Sequence, residues 1–207
     1  VMGSWASPFD GQAPAVNMVV LKDGRVLYWS GVEAGSRDGV FFTDAPYSGE
    51  SRVWDPVTNT ITTPSFADGA AGDLFCSGQV IMPDGSVLTA GGSGWRDIRE
   101  SAAAAGADAR RGRATDPAPV VDGLKDARVF DPATNAWTRV ADMHWARWYP
   151  TIMEMPDGKA LAASGIENLT DPRTQSTWVE QFDGAAWNDI DGANHLLPLY
   201  PRLFVVP

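Results

Sequence analysis

Three stretches of the chain repeat one hydrophobic pattern: an apolar run, an Asp-Gly pair, then a second apolar run. They are Met18 to Trp29, Gln79 to Gly92 and Thr151 to Gly165, with Asp23-Gly24, Asp84-Gly85 and Asp157-Gly158 at their centres. Both residues of an Asp-Gly pair tolerate positive φ, so each stretch predicts a β-hairpin. The near-continuous apolar character of the paired runs predicts strands buried on two faces. A second unit follows each hairpin: Ser51 to Ile61, Ala127 to Trp137 and, more loosely, Trp178 to Trp187. These units turn at Asp55-Pro56, Asp131-Pro132 and Asp183-Gly184, and each predicts a third and a fourth strand. Hairpin plus hairpin makes a four-stranded antiparallel sheet. Its return at intervals of roughly fifty residues or more is the signature of propeller blades. A β-sandwich does not explain why the same pair of hairpins recurs in register.

The expected fold is therefore all-β: a β-propeller of about three blades plus the first strand of a fourth. Residues 1–207 form one partial propeller domain. Blade 1 is expected at about 14–63, blade 2 at about 76–141 with an insertion at 93–125, blade 3 at about 149–191, and the start of blade 4 at about 199–207. The insertion is rich in Ala, Arg, Gly and Pro. It predicts a short helix over Ser101 to Arg111 and a basic cluster at Arg110, Arg111 and Arg113 on a solvated surface loop. Propellers close with about four to eight blades, because open ends leave strand edges and apolar faces uncovered. The chain is thus expected to be a fragment that requires the C-terminal remainder of a propeller, of seven blades in all.

Composition agrees. Of 207 residues 44% are apolar and 20% charged, which excludes global disorder. Twenty-one glycines, 15 prolines and nine tryptophans suit short strands, tight turns and large aromatics between sheets. The net charge of −10 opposes binding to nucleic acid or to an anionic membrane surface. No apolar run approaches the ~20 residues of a membrane span. The N-terminus lacks the charged and apolar regions of a signal peptide, so the protein is cytosolic or the chain begins after processing or truncation. The one cysteine, Cys76, allows no internal disulfide.

The repeat gives that cysteine a neighbour. Cys76 lies nine residues before Gly85, and Tyr149 lies nine residues before Gly158. Both therefore occupy one slot, at the entry of the innermost strand of consecutive blades. Ala15 holds it in blade 1, and Tyr200 would hold it in a fourth blade. Entry ends of inner strands surround the propeller axis at one rim, so thiol and phenol are expected to face each other there.

Gly91-Gly92, Phe130 and Trp137 carry a resemblance to the kelch motif. Leu74-Phe75-Cys76, followed by an apolar strand and Gly91-Gly92, resembles the segment bearing the cross-linking cysteine of the galactose oxidase/glyoxal oxidase family. Met143 to Thr151 resembles the segment bearing its redox-active tyrosine, and Arg147-Trp148-Tyr149-Pro150-Thr151 is closest to the glyoxal oxidase branch. The resemblance implies a secreted copper-radical oxidase. A Cys76–Tyr149 thioether would ease one-electron oxidation of the tyrosine, and Tyr149 would ligate copper. An aldehyde or primary alcohol would give up two electrons, one to the tyrosyl radical and one to copper, and O2 would leave as hydrogen peroxide. The family's two ligating histidines and axial tyrosine are expected beyond residue 207, because His144 and His195 match no ligand position; the chain alone would be inactive. Where galactose oxidase stacks a tryptophan on the thioether, this chain has Glu167, so shielding would fall to Trp148 or Trp145. Phe75 would line the substrate pocket, and Arg147 is expected in a structural ion pair. The alternative is a non-catalytic kelch propeller that binds protein or glycan through a rim.

Overall fold

The computed structural model describes residues 7–29, 51–66, 74–93, 122–168 and 174–206. The helix expected over Ser101 to Arg111, with its basic cluster, lies outside the described residues. Those residues contain strands and turns and no helix.

Three antiparallel sheets follow one another along the chain. The first holds β1 (Asn17–Val20), β2 (Val26–Trp29), β3 (Ser51–Asp55) and β4 (Thr60–Thr62) in that order. Next along the chain, β5 (Ser65–Phe66) leaves this sheet and pairs in parallel with the outer strand of the second. That second sheet is built from β6 (Gly78–Ile81), β7 (Val87–Ala90), β8 (Ala127–Asp131) and β9 (Ala136–Arg139). The third contains β10 (Thr151–Glu154) and β11 (Ala160–Ala163), then β14 (Val179–Phe182) and β15 (Trp187–Asp189). Between β11 and β14 lies a small separate ladder of β12 (Ile166–Asn168) and β13 (Thr174–Gln175).

The hairpins form at the expected Asp-Gly pairs, but only the glycine of each pair takes positive φ, while Asp23, Asp84 and Asp157 do not. Gly24, Gly85 and Gly158 have φ of 89°, 95° and 82°, a region that costs glycine nothing. Each preceding aspartate accepts a hydrogen bond from the backbone N–H two residues on: Arg25 to Asp23 at 3.0 Å, Ser86 to Asp84 at 2.9 Å and Lys159 to Asp157 at 3.2 Å. In the second hairpins Asp55 and Asp131 each accept from the N–H of the residue after the proline, at 2.8 Å.

Adjacent sheets stack face to face through aromatic side chains. Trp29 and Val53 of the first sheet meet Val87, Phe130 and Trp137 of the second. Trp137 is fully buried; its indole lies edge-on to Trp29 at 5.7 Å and donates to Ser51 Oγ at 3.1 Å. Between the second and third sheets Leu88, Ala90 and Ala127 meet Ile152, Ala160, Ala162, Phe182 and Trp187. Neighbouring residues of one strand, such as Val87 and Leu88, thus serve opposite cores, which is why β7 is buried at every position, its one polar residue, Thr89, included. The first sheet departs from the expected two-face burial. Along β1 burial alternates, leaving Met18 and Val20 58% and 62% exposed, although further across the same face Phe9 packs on Trp54 and the Tyr28 hydroxyl donates to the Gly11 carbonyl. At the other end, residues 199–206 join no ladder among the described residues.

Candidate functional site

The inner strands β6 and β10 pack against each other at close range: a Cβ on Gly78 would stand 2.5 Å from Ile152 Cγ1. Their entry segments carry the predicted slot. Cys76, Tyr149 and Tyr200 share an unusual backbone, with φ of 57°, 67° and 49°. Left-handed geometry costs a non-glycine residue of order 1–2 kcal/mol. Ala15 does not share it. The three slots are joined directly: Tyr149 N–H donates to the Cys76 carbonyl at 3.2 Å, and Tyr200 N–H to the Tyr149 carbonyl at 3.1 Å. The chain therefore steps from one slot to the next with the three side chains grouped together.

Cys76, Trp148 and Ile166 form a small buried cluster, with Phe75, Tyr149 and Leu199 half-buried against it. Burial first, and hydrogen bonding with the Cys76 thiol second, push the Tyr149 phenol pKa up to about 12. Tyr200 lies 5.1 Å from Tyr149, ring to ring. Desolvation, then the charge of and hydrogen bond to Cys76, raise its hydroxyl well above the ordinary tyrosine value. The Trp148 indole stacks on Tyr149 with centroids 4.3 Å apart and planes 22° apart. Trp145 instead stacks on Trp178 at 4.9 Å. Of the two tryptophans open to the shielding role, Trp148 is the one on the phenol.

Repeat counting singled out Cys76 and Tyr149, and it gave Tyr200 the same slot without a role. The shared left-handed backbone makes Tyr200 the third side chain of the site. The histidines stand apart. The exposed His144 ring meets Asp189 at 3.2 Å and Glu180 at 3.8 Å, and those three donor groups lie within 4.8 Å of one another. Glu180 is already engaged by Arg147 and by the His144 N–H. His195 is exposed and its N–H donates to Thr177 O at 2.8 Å. Neither ring belongs to the cluster around Cys76. Among the described residues, the donors at the slot are thus one thiol and two phenols. This set fits part of a copper site, a phenolate oxygen with an adjacent sulfur, and holds no imidazole.

Comparison with known proteins follows the same lines. No family model matches the chain. Two galactose oxidases of the fungus Gibberella zeae are each 23% identical over 169 residues, which is 79% of this chain and 19% of theirs. A fungal alcohol oxidase of the AA5 family, solved in complex with copper, superposes with a TM-score of 0.50 at 16% identity. That match covers 86% of this chain and 32% of the solved one. The all-β fold is thus that of a galactose oxidase-like β-propeller segment. In sequence as in fold the chain is galactose oxidase-like, with no separate sign of the glyoxal oxidase branch. It spans about a fifth of the curated relatives it matches.

Proposed function

We propose that this chain is part of a secreted copper-radical oxidase, closest to the glyoxal oxidase branch, that converts a primary alcohol or aldehyde and O2 to the two-electron-oxidised product and H2O2. One observation carries the reading. A thiol-bearing and a phenol-bearing residue at the entries of neighbouring sheets pack in one cluster and are joined by the bond from Tyr149 N–H to the Cys76 carbonyl, each on a backbone that costs free energy to hold. Strain of this kind clusters at functional sites. Packing alone requires neither residue there in that conformation.

In this reading Tyr149 holds copper through its phenol oxygen, and imidazole ligands come from elsewhere in the protein. Bound copper supplies a one-electron couple beside the tyrosine. The chain's own residues do the rest. Cys76 is positioned to bond through sulfur to the Tyr149 ring, and the S–H and ring C–H hydrogens lost in that step go to O2. The linked sulfur donates electron density and lowers the cost of oxidising Tyr149. Trp148 covers one ring face and keeps water from it. Phe75, half-buried beside Cys76, lines the approach of a small substrate. In the metal-free protein Tyr149 Oη keeps its proton at neutral pH, as any phenol does, and the raised pKa extends that to higher pH.

Copper(I) and air followed by peptide mass mapping tests this reading. The expected product is one species containing both the Cys76 and the Tyr149 peptides, lighter than their sum by two hydrogens. It is absent in Cys76→Ser and in Tyr149→Phe. A wild-type protein that keeps an unlinked thiol after this treatment would instead be a kelch propeller that binds a partner through its rim, and the oxidase reading would fall.

A further inference from the structure

The most heavily constrained residue near the slot is Arg147, two positions before Tyr149. Its side chain is fully buried and so is that of its partner, Glu180. The guanidinium donates to Glu180 Oε2 at 2.7 Å from Nη2 and 3.3 Å from Nε. It also donates to the carbonyls of Ser164 at 2.7 Å and Trp178 at 2.9 Å. Glu180 Oε1 accepts from the His144 N–H at 2.6 Å, so both carboxylate oxygens are used. The Arg147 backbone is equally tied, donating to Leu124 O and accepting from Gly92 N, both at 2.9 Å. Three glycines close on it. A Cβ on Gly91 would overlap the Arg147 carbonyl oxygen, one on Gly123 would stand 2.7 Å from its N, and one on Gly165 2.8 Å from its Cβ.

The ties continue to the third slot. Ser164, itself at φ 64°, gives its carbonyl to Arg147 and donates from Oγ to Pro198 O at 2.8 Å. Gln175 Nε2 donates to Ser164 Oγ at 3.1 Å and also to Leu197 O. One buried ion pair thus connects the segment before Tyr149 with the segment before Tyr200.

A buried ion pair is a poor device for stability alone, because desolvation of both charges offsets most of their attraction and an apolar pair of similar volume does as well or better. What it supplies is geometry: the planar guanidinium fork fixes several acceptors at once. We infer that Arg147 and Glu180 are positioning residues for the thiol–phenol site, holding Tyr149 against Cys76 and, through Ser164, bringing Tyr200 beside them. This rests on Cys76 and Tyr149 being the working pair proposed above.

The test uses the full-length protein, metal-free, in four versions: wild type, Arg147→Met with Glu180→Leu, Arg147→Lys, and Val53→Ala. Val53 is buried in the other inter-sheet core, so its truncation lowers stability without touching Arg147, Glu180 or their partners. Two readouts are taken beside Tm: the rate at which an aromatic disulfide reagent labels Cys76, and the yield of the linked peptide after copper(I) and air. The apolar double variant is expected to keep a Tm no lower than that of Val53→Ala. Its Cys76 should label about tenfold faster or more, because the segment covering the thiol opens more readily. Its linked yield should fall by about tenfold or more through misplacement of the phenol. Arg147→Lys, which keeps charge and loses the fork, should lie between. Val53→Ala should label and link like wild type. Labelling of the double variant within about twofold of wild type, or equal effects in Val53→Ala, would overturn the inference. A wild type that never links but whose thiol is exposed by the double variant would sink the oxidase reading and leave the positioning role standing.

Discussion

Replacement of Gly91 by alanine separates two costs that the fold superimposes at the entry to the site. Gly91 has φ of 80° and donates its N–H to Asp126 O at 2.9 Å. Holding alanine in that backbone costs of order 1–2 kcal/mol. The new methyl would also overlap the Arg147 carbonyl oxygen and stand 3.2 Å from Pro150 Cγ. Arg147 cannot yield cheaply, since its carbonyl, N–H and side chain are all bonded. Forcing a methylene-sized group into such packing costs about 1–3 kcal/mol. The expected total is about 2–5 kcal/mol. Gly24 is the matched control: its φ is 89° and nothing lies within 4 Å of its would-be Cβ. Gly24→Ala should therefore lose only the backbone part, about 1–2 kcal/mol. Urea unfolding of both variants measures the difference, expected at about 1–3 kcal/mol. Equal losses, within about 0.5 kcal/mol, would show that the contact around Arg147 is looser than described and would refute the reasoning.

Two further outcomes follow from the same geometry. The Tyr149 phenol, raised from 10.0 to about 12, should ionise late in an ultraviolet pH titration of the metal-free protein, and Cys76→Ala should bring it partway back. Because the folded value lies above the unfolded one, the unfolded chain releases its proton first. The contribution is fully present below about pH 10 and is lost as pH rises towards 12, so urea midpoints should fall across that window. A midpoint that rises there would contradict it. Ser77 is fully buried and its hydroxyl has no partner among the described residues; Ser77→Ala should keep or raise the urea midpoint, and a loss above about 1 kcal/mol would mean the hydroxyl is bonded after all.

The sequence alone determined the local structure and the slot. The Asp-Gly turns need a residue free at positive φ and a carboxylate that reaches two residues on, and both requirements are written in adjacent letters. Apolar runs between such turns had to become short strands, and their spacing alone puts Cys76 and Tyr149 at equivalent positions. Tertiary structure decided what is long-range. The partnership of Arg147 with Glu180 spans 33 residues, and Trp137 finds Ser51 across 86. Spacing could not say that Trp148, rather than Trp145, covers the phenol. Nor could it say that three glycines would crowd one arginine backbone. Periodicity within a strand fixes which face a side chain takes. Only the stacking of one sheet on the next fixes what it meets there, because those contacts depend on twist, separation and the volumes of side chains far apart in the chain.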